Sequence, residues 1–193
     1  MERIYDGSSD IEGIEVENQL ANIFLEGDRV TLVAVNGSFD SRHVGEGKNV
    51  EFELAVGDED ARNYDLPAQT YTSDEGSIRQ RPSVTWVGFA DGAWSNSANW
   101  EDDAIPDNSP ETGEANVARV ILPEGTQSVY DWDIFGDTTS ALQIDGTLRI
   151  DHSQEELEFD NVLSGAGRLQ QATKNTLTLS VANEDFNGVV DAG

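Results

Sequence analysis

The residue types able to do chemistry are unevenly supplied in this chain of 193 residues. The two histidines, His43 and His152, stand far apart beside Arg42 and Asp151, and no H-x-x-x-H or histidine–carboxylate ligand spacing is present. No G-x-S-x-G turn supports a Ser-His-Asp triad. Cysteine is absent, which removes thiol catalysis, thiolate metal sites and a disulfide framework. Carboxylates are in excess, with 38 Asp and Glu against 11 Lys and Arg. Pairs such as Asp131/Asp133 and Asp102/Asp103 therefore follow from composition, because glycosidase pairs are defined by separation in space. The chemistry best served is hard-cation binding, in which several oxygens converge from a loop. Asp58, Glu59, Asp60 and Asn63 crowd one turn, and Asp102, Asp103, Asp107 and Asn108 crowd another. Asp58, Asp60 and Asn63 are the candidate metal ligands and calcium the candidate ion, although neither turn follows the EF-hand or the G-G-x-G-x-D pattern. No other cofactor is expected.

Trp86, Trp94 and Trp100 cluster in a Ser- and Asn-rich stretch. Trp94 and Trp100 are the candidate carbohydrate-binding residues, since exposed rings can stack on sugars. The competing role is an aromatic plug that closes the end of a β structure, and packing is the expected one because large aromatics dominate core energetics. Lys48 and Lys174 are the only lysines. A Lys–Asn isopeptide crosslink would need one of them buried beside an Asn and an acid, and nothing local supports that. The net charge of −27 argues against nucleic acid and against an anionic membrane surface, both of which require clustered Lys and Arg. No apolar run approaches a transmembrane length, and no signal peptide is visible.

The elements that must position these residues are strands. Val50 to Val56 alternates apolar and polar residues, as a half-buried strand does. Ile14-Glu15-Val16-Glu17 and Leu177 to Val181 repeat the pattern. Arg29 to Val35 is apolar on both faces and reads as a central strand. The one helical candidate is a turn over 17–25. Asp145-Gly146 reads as a tight turn between Leu142-Gln143-Ile144 and Thr147 to Ile150. Pro82 closes the first part, because proline cannot donate to a sheet interior. From Leu142 onward the pattern is quasi-repetitive. Strands start at Leu142, Leu157 and Leu177, and second strands follow Gly146, Gly167 and Gly188. That spacing fits the coils of a β-solenoid or an antiparallel meander.

Several motifs between Tyr5 and Ile78 resemble the YDG repeat domain of large bacterial adhesins. These are Tyr5-Asp6-Gly7-Ser8-Ser9, Glu26 to Leu32, Gly37-Ser38-Phe39-Asp40 with Val44 to Lys48, Asp60 to Leu66, and Gly76-Ser77-Ile78, in the family's order. The resemblance implies a small β-sandwich-like module strung in tandem as a stalk, without catalytic residues. It also implies that Asp60, Asn63 and Tyr64 brace a turn. Downstream, Trp86-Val87-Gly88 with Gly92 to Trp100 resembles the signature of β-helical passenger domains in autotransporters. Leu163 to Leu169, Leu177 to Ser180, Ala182-Asn183, Phe186-Asn187-Gly188 and Ala192-Gly193 resemble the autotransporter-associated β-strand repeat, which implies right-handed β-helix coils.

The resulting expectation is an all-β chain, with a YDG-like module over 1–82, a Trp- and Asn-rich connecting and capping region over 83–141, and solenoid coils over 142–193. Its function is expected to be structural and adhesive, in attachment, aggregation or biofilm matrix, as part of a large secreted protein of the bacterial surface. The expected partner is a polysaccharide or cell-surface receptor, with no nucleic acid and no membrane insertion, and the fragment is expected to be monomeric. The rival functions are a β-helical polysaccharide-acting enzyme and a calcium-stiffened spacer. Few basic residues and a short run of coils argue against the enzyme.

Overall fold

The computed structural model describes residues 1–11, 13–15, 24–131, 139–151, 153, 155–181, 183 and 185–192. The helical turn expected over 17–25 lies outside the described residues except for Phe24 and Leu25, and Val16, Glu17, Asp133, His152, Ala182 and Gly193 lie outside them too. Among the described residues, strand makes up 49% and helix 5%, so the protein is all-β. It divides into two compact units. Unit 1 comprises Met1–Arg3 and Ser8–Ile78, and unit 2 comprises Ile4–Gly7 and Arg79–Gly193.

Unit 1 is built on one six-stranded sheet. Its strands are β1 (Glu2–Ile4), β2 (Asp10–Ile11), β3 (Ile14–Glu15), β4 (Thr31–Phe39), β5 (Gly45–Gly57) and β6 (Thr70–Arg79), in the order β1-β6-β5-β4-β2 with β3 also on β4. β4 is central, as its two apolar faces predict, and pairs antiparallel with β5 on one side and with β2 and β3 on the other. Alternation buries Leu32, Ala34 and Phe39 from β4 and Val50 and Phe52 from β5, along with Ile11 and Ile78. The register slips between Val35 and Ser38, and twice between Glu46 and Val50. Such bulges bend long strands and increase their twist.

Unit 2 is built from parallel ladders. β7 (Val84–Thr85), β9 (Arg119–Leu122), β11 (Ala141–Ile144) and β14 (Leu163–Ser164) stack in one. β8 (Gly92–Ala93), β10 (Gln127–Tyr130), β12 (Thr147–Ile150), β15 (Arg168–Gln171) and β17 (Val189–Asp191) stack in the second, and β13 (Glu156–Phe159) pairs with β16 (Thr176–Leu179) in the third. Thr147 stands opposite Arg168 and Arg168 opposite Val189, so the chain returns to the same position at an equal sequence interval. Every pairing in these ladders is parallel, which excludes the antiparallel meander.

Two sequence expectations change here. Asp145-Gly146 does not join a paired hairpin, because β11 and β12 belong to different ladders and the turn is a corner between them. Leu142 and Leu157 do not start equivalent strands either. Leu142 lies opposite Leu163, whereas Leu157 lies opposite Leu177.

The inward positions of the ladders form the core of unit 2. Val120, Leu122, Leu142, Ile144, Leu148, Ile150, Leu163 and Leu169 are fully buried. The glycine after each corner is required by the closeness of successive passes. A Cβ on Gly167 would lie 2.1 Å from the Gly146 carbonyl oxygen, and one on Gly188 would lie 2.2 Å from that of Gly167.

Candidate functional site

Trp86, Trp94 and Trp100 lie at the start of the ladders of unit 2. Trp86 extends the β7 pass by donating its amide to the Ile121 carbonyl at 2.9 Å, and it bridges Trp100. Trp94 follows β8 and donates its amide to the Val129 carbonyl at 2.7 Å. Two short turns place Trp100. Asn96 caps the first by accepting the Ala98 amide, and the Asn99 side chain donates to the Ala93 carbonyl at 2.8 Å. The rings then meet edge to face, with Trp86–Trp100 centroids 4.9 Å apart and Trp100–Trp94 centroids 4.6 Å apart. The run continues from Trp94 to Tyr130 at 5.3 Å and from Tyr130 to Phe159 at 5.7 Å. The Trp100 indole N–H donates to the Trp94 carbonyl at 2.9 Å. Trp94 is 0% exposed and Trp100 1%. Rings so enclosed present no face to a sugar in this conformation.

The acidic turn of unit 1 is organised around protein donors. Asp60 accepts the Arg29 amide on Oδ2 at 2.9 Å, and its own amide donates to the Arg29 carbonyl at 3.1 Å. Asp58 takes a left-handed φ of 74°, which Asp tolerates, and the Asn63 amide donates back to the Asp60 carbonyl. Tyr64 ties the turn to its neighbour. Its hydroxyl donates to Asp28 Oδ2 at 2.8 Å and accepts the Leu25 amide at 2.8 Å, while its ring meets Phe24 edge-on at 4.9 Å. The Leu25 amide favours the phenolate, but burial and the Asp28 carboxylate outweigh it and raise the Tyr64 pKa above 10.0. The geometry is that of a braced turn.

The second acidic turn, in unit 2, is also occupied by protein partners. Asp102 pairs with Arg81 at 2.8 Å, and Asn108 accepts the Thr139 amide at 3.0 Å. Asp107 accepts the Asn116 side chain at 2.6 Å and the Tyr5 hydroxyl at 3.3 Å. Among the described residues, no three or more His, Cys, Asp or Glu side chains converge as a metal site would require. Of the two histidines, His43 lies in unit 1 and His152 falls outside the described residues. Asp131 accepts both the amide and the hydroxyl of Ser95.

Lys48 is almost fully buried in unit 1, 3.6 Å from Asp40, with its ammonium donating to Ser41 Oγ at 2.8 Å. Burial pushes the Asp40 carboxyl up, but the Asn49 backbone and side-chain amides, the Lys48 charge and the Ser41 amide prevail, holding it below 3.8. Lys48 and Asp40 form an ion pair.

Two features escaped the sequence reading. Tyr5 is fully buried in unit 2, where its hydroxyl donates to the Ile105 carbonyl at 2.8 Å and its amide to the Arg79 carbonyl at 2.9 Å. Nothing local in the sequence names partners so distant along the chain. The other is Phe89, which is 90% exposed. Its signal was present, because Gly88, Ala90, Asp91 and Gly92 surround it without the alternation that would bury it. The next residue, Ala90, lines a cleft of about 400 Å³ together with the corners before β10, β12 and β15, the first residues of those strands, and Val189 of β17.

Comparison with known proteins adds one finding: residues 1–72 match the YDG domain family. No curated protein and no solved structure matches the chain.

Proposed function

We propose that the chain is a non-catalytic adhesive segment of a large secreted protein of the bacterial surface, in which a YDG module leads into a short right-handed β-solenoid. The observation that carries this reading is the set of three parallel ladders of unit 2, joined in one chain to the YDG domain. Each pass of chain cannot bury its apolar face alone and is completed by the passes above and below it. The rings of Trp86, Trp100 and Trp94 act as the apolar plug that such a stack needs at its beginning. In unit 1, the bulged long strands let one sheet fold over its own core, in keeping with a sandwich-like module.

Repeat-built, cysteine-free chains suit a stalk that projects from a cell. The test is attachment. Beads coated with the whole chain should adhere to cell layers more strongly than beads coated with an equally acidic, unrelated protein. Equal adhesion would overturn the reading. Release of reducing ends or unsaturated products from a polysaccharide would establish the enzyme instead.

A further inference from the structure

We propose that the cleft of unit 2 lined by Ala90 binds a neutral polysaccharide, with the exposed ring of the preceding residue, Phe89, as its stacking platform. This rests on the adhesive reading and names the class of ligand. Phe89 is held out by its turn rather than left loose. The Val87 and Gly88 amides both donate to the Asn99 carbonyl, at 2.9 and 3.1 Å, and the Gly92 amide donates to the Phe89 carbonyl at 3.2 Å. Asp91 takes a left-handed φ of 59° to close the turn, and its carboxylate accepts the Gln127 side chain. A 90% exposed ring on a turn pinned at both ends is pre-organised for contact, so little ordering cost remains at binding.

The wall of the cleft repeats with the ladder. Gln127, Thr147, Arg168 and Val189 occupy one outward register column along it. Amide, hydroxyl and guanidinium groups therefore recur at the rung spacing of about 4.8 Å, a period suited to a polymer of repeating hydroxylated rings. Pyranoses offer what this site lacks: an apolar C–H face for the electron-rich face of Phe89 and hydroxyls for the polar column.

Charge selects a neutral polymer. Arg168 pairs with Asp191, and Arg149 with Asp151 at 3.4 Å, so the cationic groups of this face already have carboxylate partners. The chain's net charge of −27 repels a polyanion. A protein partner is disfavoured because one ring and Val189 on an otherwise polar wall lack the clustered aromatic core of a protein interface.

Affinity electrophoresis of the whole chain tests this, in native gels carrying hydroxyethylcellulose, galactomannan, yeast mannan or dextran, with alginate as the acidic comparison. At least one neutral polymer should retard the chain. Phe89→Ala should weaken the retardation about tenfold, and Thr147→Val severalfold, while Phe89→Trp preserves it. Both Phe89 variants should keep the parent melting temperature, since the side chain is outside the core. Retardation by none of the neutral polymers, equal retardation of Phe89→Ala, or retardation by alginate alone would overturn the proposal. Coated beads that still adhere in those cases would leave the adhesive reading standing without this site.

Discussion

At the scale of single residues, the fate of the tryptophans separates packing from binding. Trp94 and Trp100 lie in an edge-to-face run that reaches Phe159, and truncating either removes a fully buried ring. Trp94→Ala and Trp100→Ala should each cost about 3–5 kcal/mol, read as a fall in the unfolding midpoint of unit 2. An unchanged midpoint would refute the packing role. Asp40 makes a second prediction. Its pKa is lower folded than unfolded, so its ionised form contributes stability above the ordinary value of 3.8. That contribution fades as pH falls below 3.8 toward the folded pKa. The stability difference between the parent and Asp40→Asn, measured by denaturant titration, should therefore be largest near neutrality and shrink in acid. A difference constant with pH would show that the carboxylate charge is irrelevant.

At the scale of elements, the corners decide whether the ladders form. The glycines at 146, 167 and 188 stand where successive passes nearly touch, and their regular interval was visible in the sequence. Gly167→Ala would drive a methyl group into the Gly146 carbonyl, a backbone atom that cannot swing aside. Overpacking of this kind costs about 1–3 kcal/mol, and the loss should appear as faster amide exchange in β12 and β15. Unaltered exchange would mean the passes can spread without penalty. Strand identity was legible because side-chain pattern is a local property: β5 and β16 follow from alternation, and β4 from its run of apolar, β-branched residues. The equivalence of strands was not legible. A pass contains more than one strand, and nothing in the segment between Leu142 and Leu157 says that they cross a corner into a different ladder. Tyr5 is the same limitation at longer range, since its role depends on Ile105 and Asp107. Phe89 was legible in principle, as an aromatic with no alternating neighbours, but the cluster of tryptophans nearby drew the binding role to residues that are buried.

At the scale of the whole molecule, charge sets the conditions of stability. With 38 acidic and 11 basic side chains, the folded state concentrates repulsion that salt relieves within a Debye length of about 8–10 Å at 0.10–0.15 M. The melting temperature should rise with sodium chloride, and magnesium and calcium at equal ionic strength should raise it alike. A gain of several degrees specific to micromolar calcium would instead establish a coordination site at a turn such as that of Asp58, Asp60 and Asn63.

The parallel ladders of unit 2 also fix how the molecule yields when pulled. Their hydrogen bonds point along the stack, so tension in that direction loads one pass at a time rather than a whole sheet in shear. Thr147 and Arg168 bound one pass, and Arg168 and Val189 bound the next. Release of a pass of this length should extend the chain by roughly 70 Å, less one rung. Force spectroscopy should record a series of small, evenly spaced lengthening steps for unit 2, where a single large rupture would contradict the independence of successive passes. Such stepwise release would spread a load over successive passes instead of concentrating it in one event.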